Sequence, residues 1–178
     1  PTPVVGMLGL IDKTPFVDMA FKDKDDLIIL IGINKEEKSI CPDLNLSLEK
    51  GVQDTCLQAI KKGIVKSAHD TSEGGLAVAL AECCIEGKIG AVVAMNENIN
   101  NISLLFDECQ SRIIITINPS DIFVFTSIAK SNSAPFSIIG KVGGASLKIN
   151  NKKKKLVDIK VAKITKAYNN SISEIMRG

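Results

Sequence analysis

The run SAHDTSEGGL at residues 67–76 constrains the fold more than any other stretch of this chain. β-Branched Ile64 and Val65 lead into it, and Leu76, Leu80, Cys83 and Cys84 follow at helical spacing. The implied order is strand, turn, helix. At such a junction the first helical N–H groups have no partners inside the helix, and paired glycines let an anion approach that backbone closely. A phosphate-sized anion site is therefore expected where the strand hands over to the helix.

The remaining pattern builds a layered domain around that junction. Residues 4–11 (VVGMLGLI) are mostly apolar and suit a buried strand, and residues 27–33 suit a second strand of the fully buried type. Residues 41–45 read as a loop. Leu48, Val52, Cys56 and Ile60 recur every four residues before Gly63, which predicts a helix stopped by a glycine cap. The helix from about Leu76 should stop at Gly87, followed by a strand at 91–95. Residues 104–112 lead into a strand at 113–117, and a helix over 121–130 is expected to be capped by Ser120. A strand at 136–142 ends at Gly143 and Gly144. Residues 146–149 and 156–159 predict a hairpin whose turn carries Lys152 to Lys155, and 163–177 a final amphipathic helix. Strands joined by short turns and by helical crossovers define an α+β class: a layered domain with a mixed β-sheet packed by helices.

Composition narrows the function. With 178 residues and 45% apolar content, the chain suits one domain, and its apolar runs are of strand length, far short of the ~20 residues a spanning helix needs. A soluble protein with no membrane partner is expected. Lys+Arg of 22 against Asp+Glu of 20 leaves a net charge of +2, with no Trp and one Tyr, so neither a global field nor base stacking favours nucleic acid. Five cysteines without a C-x-x-C pair fit neither a disulfide framework nor a zinc site, which predicts buried structural thiols in a reducing cytoplasm. A start at Pro1-Thr2-Pro3 without methionine suggests a trimmed protein or a piece of a longer one.

Each candidate site residue has two readings. Asp70, a carboxylate at a strand end beside a glycine-rich helix start, either holds Mg²⁺ against nucleotide phosphates or caps the turn through backbone N–H groups. Ser72 either donates to a phosphate oxygen or serves as helix N-cap, and Gly74 and Gly75 either admit a phosphate or only make a tight turn. Glu108 and Gln110 either bind substrate polar groups or form a plain polar turn before a buried strand. His69, the one histidine, reads as a hydrogen-bonded, half-buried side chain rather than a base, because no activated nucleophile lies nearby in sequence. The lysine run at 152–155 reads as a solvated tip, with a phosphate-bearing ligand or an acidic partner as the other reading.

Three stretches carry a family resemblance. Residues 67–82, SAHDTSEGGLAVALAE, are close to SAHDVSDGGLAVALAE of the phosphoribosylformylglycinamidine synthases; residues 105–112, LFDECQSR, are similar to their LFGESQSR; and residues 1–10 and 139–144 (IGKVGG) resemble further family segments. The second stretch resembles the short, stand-alone synthase subunit. The resemblance implies the C-terminal flanking domain of that enzyme, with a fold like the C-terminal domain of aminoimidazole ribonucleotide synthase-like proteins. Residues 1–178 would form this one domain, with 1–15 crossing from a missing upstream domain. It further implies participation in an ATP-dependent carbon–nitrogen ligation of purine biosynthesis: formylglycinamide ribonucleotide, ammonia and ATP give formylglycinamidine ribonucleotide, ADP and phosphate, through an iminophosphate that ammonia displaces.

The implied cofactors are Mg²⁺ and ATP or ADP. The implied partners are the upstream domains of the same polypeptide, a glutaminase subunit that supplies ammonia and a small accessory subunit. No catalytic residue is expected in this domain, since the family's catalytic histidine lies upstream. The implied nucleotide-binding residues are Ser72, Gly74 and Gly75, the metal ligand is Asp70, and Glu108 and Gln110 are the substrate-binding candidates. Asp107 and Cys109 stand where the family carries Gly and Ser. Two readings of another kind stay open: a non-catalytic scaffold that packs against sister domains, and a different ATP-dependent synthase or kinase of the same superfamily. Apolar surface left by absent partners would make the chain self-associate.

Overall fold

The computed structural model describes residues 6–10, 16–36 and 44–176. Seven strands form one mixed sheet: β1 (Leu27–Ile31), β2 (Val65–Asp70), β3 (Ala91–Met95), β4 (Ile113–Ile117), β5 (Phe136–Val142), β6 (Ser146–Asn151) and β7 (Lys154–Lys160). Their spatial order is β2-β4-β1-β5-β3-β6-β7, antiparallel throughout except for the parallel pair β3–β6. The helices are α1 (Leu46–Lys61), α2 (Gly75–Gly87), the short α3 (Asn101–Phe106), α4 (Ile122–Ser131) and α5 (Val161–Ile175).

All five residues of β1 are buried, because helices lie on both faces of the sheet there. Ile28 and Leu30 point into a core shared with α2, α3 and the inward residues of β3, β5 and β6. Leu27, Ile29 and Ile31 point the other way, against Val52, Cys56 and Ala59 of α1 and Phe125 and Ala129 of α4. A strand covered on both sides must be apolar at every position, and LIILI is. This places α1 and α4 on one face and α2, α3 and α5 on the other.

Element ends follow local chemistry, with several departures from the sequence reading. Asn45 caps α1 by accepting the Leu48 N–H at 3.0 Å, and the helix closes with Gly63 N–H to Ile60 O and Ile64 N–H to Ala59 O, a glycine-terminated end as expected. At the end of α2 the left-handed residue is Lys88 (φ 52°) rather than Gly87. Gly87 is needed for another reason: a Cβ there would stand 2.2 Å from the carbonyl oxygen of Phe21. Asn118, not Ser120, caps the turn before α4, because its Oδ1 accepts the Ser120 N–H and a 3₁₀ turn at Pro119–Asp121 intervenes. The hairpin turn is only Lys152 and Lys153; Lys154 and Lys155 are already in β7. Gly6 to Leu10 forms no strand and is exposed, with Leu10 96% accessible. An apolar segment with no sheet edge or core against it gains nothing from extending. The flanking Val4, Val5 and Ile11, and Cys41, lie outside the described residues.

Cys56, Cys83, Cys84 and Cys109 are free and buried, as the sequence implied for structural thiols. Burial pushes Cys56 up to about 11 and Cys84 up to about 12 from an ordinary value near 9, and raises Cys83 as well. The fold therefore keeps these thiols neutral while the unfolded chain ionises above pH 9. Their contribution is complete below about pH 9 and is lost as pH rises through the folded values, on the order of 1–2 kcal/mol per thiol by about pH 10.5. Urea denaturation under reducing conditions is expected to show a midpoint urea concentration that falls as pH rises from about 8.5 to about 10.5. Cys84→Ala, less stable at the lower pH, is expected to lose less over that interval. Separately, Lys88→Gly relieves a left-handed side chain and should raise stability by roughly 0.5–1 kcal/mol, read as a higher Tm.

Candidate functional site

β2 is an edge strand that pairs only with β4 among the strands, with His69 opposite Ile114 and Asp70 opposite Ile113. Buried Ser67 and Thr116 pair their hydroxyls at 2.6 Å across the two strands. Lys66, near the start of β2, reaches the buried Asp26 carboxylate at 2.7 Å and Asp23 at 2.8 Å. Burial alone would lower the Lys66 pKa, but the two carboxylates more than offset it and hold the ammonium above its usual range. The strand is thus pinned in register before it delivers residues 69–72.

Alternation sends His69 and Asp70 to opposite faces. His69 turns toward α2, with Nε2 2.8 Å from Glu82 Oε2, while Glu82 Oε1 accepts the Tyr168 hydroxyl of α5 at 3.1 Å. That carboxylate pushes the Tyr168 phenol up. His69 is the half-buried, bonded histidine that the sequence suggested, tying α5 to α2 and β2. Its Nδ1 lies 3.4 Å from Asp70 Oδ1.

Asp70 and Ser72 line an open cleft of about 640 Å³ between α1 and the 107–112 loop, together with Glu108 and Gln110. Thus four of the six candidate residues, drawn from two motifs nearly forty positions apart, meet around one space. Thr71 adds a hydroxyl that the sequence reading passed over: the residue is 5% exposed, and its Oγ1 has no hydrogen-bond partner. Its backbone N–H donates to Arg112 O at 3.0 Å, which joins the two motifs directly.

The glycines act differently from the simple picture of an empty anion cradle. Gly74 is the N-cap of α2 (φ 77°) and offers no side-chain cap, so Ser72 is not the cap; its carbonyl instead accepts the Gly75 N–H at 3.1 Å. The Gly74 N–H donates to Glu108 Oε1 at 2.8 Å. An internal carboxylate therefore sits where the helix dipole favours negative charge. Gly75 (φ 68°) is required by close packing: a Cβ would stand 2.7 Å from the Phe106 carbonyl carbon at the end of α3.

Arg112 holds the loop that carries Glu108 and Gln110; it closes the LFDECQSR stretch, but the sequence reading gives it no role. It is 3% exposed; Nε donates to Cys109 O at 3.0 Å, Nη2 to Asp107 O at 2.5 Å and Nη1 to Asn34 Oδ1 at 3.1 Å. Burial lowers its pKa, opposed by the nearby Asp107 carboxylate. Across the cleft Ser111 (φ 61°) donates its hydroxyl to Glu49 Oε2, whose other oxygen accepts from Gln53. The lining is thus rich in carboxylates, from Glu49, Asp70 and Glu108, yet no three His, Cys, Asp or Glu side chains among the described residues converge into a metal cage.

A mixed seven-stranded sheet with a glycine-rich strand-to-helix junction facing a polar loop defines a domain of the AIR synthase type. The family model described as AIR synthase related protein, C-terminal domain, matches residues 34–150, and the chain belongs to that family. Within it, the sequence is similar to the phosphoribosylformylglycinamidine synthase subunit PurL of Alkaliphilus metalliredigens, 43% identical over 164 residues that cover 84% of this chain and 22% of the relative. The chain thus spans about a quarter or less of the length of this relative. Among solved structures, T. maritima PurL complexed with ATP superposes with a TM-score of 0.75 at 18% identity over 84% of this chain and 27% of that one. PurLQS from Thermotoga maritima gives 0.76 at 18% identity with the same coverage. At that identity these likenesses establish the fold.

Arg112→Met is expected to cost about 2–4 kcal/mol, since it removes a buried charged side chain and strands the buried Cys109 carbonyl together with the half-buried Asp107 carbonyl and Asn34 amide. Chemical denaturation measures the loss. Hydrogen exchange at the Gly74 amide should accelerate beyond the global change, because Glu108 is no longer held against it.

Proposed function

We propose that this chain is the C-terminal flanking domain of a phosphoribosylformylglycinamidine synthase and that its cleft holds the phosphates of a magnesium-bound adenine nucleotide. The observation that supports this most is the convergence of Asp70, Thr71 and Ser72 with Glu108 and Gln110 around one space beside the N-terminus of α2. The similarity to PurL sequences points the same way, as does the solved T. maritima PurL with ATP. On this reading the domain serves an ATP-dependent ligase that converts formylglycinamide ribonucleotide and glutamine-derived ammonia into formylglycinamidine ribonucleotide. The chain contributes binding groups and no catalytic residue.

The donor set fits magnesium rather than a self-sufficient metal site. Mg²⁺ is commonly held by one or two carboxylates completed by phosphate oxygens and water, and Asp70 is an exposed carboxylate on the cleft wall. Bound there, the ion supplies charge neutralisation for the phosphates. Without it, Glu49, Asp70 and Glu108 would repel an incoming polyanion. Ser72 and the unpartnered Thr71 hydroxyl donate to phosphate oxygens, and Gln110 offers an amide. Gly74 joins only if its N–H exchanges Glu108 for a phosphate, and Gly75 keeps α3 close.

The full enzyme would place upstream domains of the same polypeptide over this cleft and recruit a glutaminase and a small accessory subunit, a reading supported by the likeness to PurLQS. Residues 1–15 would cross from the preceding domain. Buried, free thiols among the described cysteines suit a reducing cytoplasm, and the exposed apolar Met7, Leu8 and Leu10 favour self-association of the isolated chain. Calorimetric titration with ATP and ADP, with and without Mg²⁺, tests the site in this chain and in a full-length subunit that contains it. The expected result is Mg²⁺-dependent binding weakened about tenfold or more by Asp70→Ala. Binding that is indifferent to both Mg²⁺ and Asp70→Ala would leave the domain a packing scaffold.

A further inference from the structure

The two faces of the sheet are not equally covered. On the face that carries α1 and α4, the helical layer reaches β2, β4 and β1 and ends at Phe136 of β5. Beyond it, among the described residues, no helix covers the same face of β5, β3, β6 and β7. Register identifies what stands there: Lys141, Val92, Lys148 and Asp158 form one cross-strand row, and Ala94, Asn150 and Lys155 the next. Val92 is 47% and Ile138 49% exposed, although the alternate residues Val93 and Ile139 are buried on the opposite face.

The charge on this face is one-sided. Lys141, Lys148, Lys155 and Lys160 all lie on it, and Asp158 is the one acid in the four strands. Asp158 is paired with Lys155 at 3.2 Å. Among the described residues Lys141, Lys148 and Lys160 have no ion pair or hydrogen bond from their ammonium groups. Lys141 and Lys148 flank Val92 on either side, and the one acid in register with them, Asp158 opposite Lys148, is paired with Lys155, so the row keeps a positive excess that an external anion would meet. Lysine stems there extend the apolar floor while their heads stand at its rim.

We propose that this open half-face is a docking surface for an acidic amphipathic helix from a partner protein or domain. Its apolar stripe would cover Val92, Ala94 and Ile138, and its carboxylates would meet Lys141 and Lys148. Four strands about 4.8 Å apart present a floor roughly 14 Å wide, which accommodates one helix about 10–12 Å across. The helix would continue the layer that α1 and α4 begin. A single-stranded nucleic acid would find the lysines but no stacking platform, since the one aromatic residue of these strands, Phe136, is packed edge-on against Phe125 with ring centroids 5.0 Å apart. This inference is independent of the nucleotide reading, because the cleft lies at the other end of the sheet order, beside β2.

The test uses a synthetic helix-stapled Glu/Leu amphipathic peptide of about 20 residues, its Lys-for-Glu counterpart and an oligothymidylate, each titrated into the 178-residue chain. Amide and methyl NMR shifts locate binding, and fluorescence polarisation gives affinity. The acidic peptide is expected to shift Val92, Ala94 and Ile138. Lys141→Glu combined with Lys148→Glu should weaken it about tenfold or more and admit the basic counterpart instead. Lys148→Glu places a carboxylate opposite Asp158 and is expected to lower Tm slightly, so a dispersed amide spectrum confirms that the variant is folded. Shifts confined to other surfaces, affinity unaffected by the charge reversal, or tighter binding of the oligothymidylate to the same face would each overturn the proposal.

Discussion

Burial of β1 on both sides is the constraint from which the rest of the architecture follows. Five consecutive aliphatic residues supply alternate side chains to two separate cores, so helices must accumulate on both faces of the sheet. Both hydrogen-bonding neighbours of β1, β4 and β5, come from much later in the chain. The first strand therefore has no partner until most of the domain has been laid down, a non-local arrangement whose closure entropy must be met before its contacts form. β2 then joins at the far side of β4, and that placement brings the 67–76 junction beside the 107–112 loop.

Local structure was legible where the chemistry is local. β3, β4 and β5 begin and end where the apolar and β-branched runs do, α1 carries its four-residue repeat to the expected glycine stop, and the order of these elements is enough for the α+β class. What escaped the reading depends on neighbours that sequence spacing does not reveal. α3 is only six residues long, less than two helical turns, so it leaves no periodic trace. Gly87 resembled a cap because glycine often is one, yet its lack of a side chain serves the Phe21 backbone, and the left-handed turn falls to Lys88. Residues 6–10 read as a buried strand on composition, but an apolar pattern states a need for cover without stating where the cover comes from.

The candidate site was legible as two motifs and not as one place. Asp70, Ser72, Glu108 and Gln110 each stood out in sequence. Only the antiparallel pairing of β2 with β4 sets them around a common space, and strand pairing between distant segments is invisible in spacing. Arg112 shows the same limit from the other side. Its importance lies in accepting burial for the sake of two carbonyls and an amide, and a lone arginine before a strand carries no sign of that.

The Glu108 contact with the Gly74 amide changes how occupancy of the helix end is to be understood. The N-terminus of α2 already has a negative partner from its own chain, so on the proposed reading a phosphate would exchange one anion for another there and would not fill a void. Only the difference between the two partners contributes to affinity. The same swap would free Glu108 with its charge at the moment a ligand arrives, turning a static stabilising contact into a tether whose release reports the arrival to the loop that Arg112 braces.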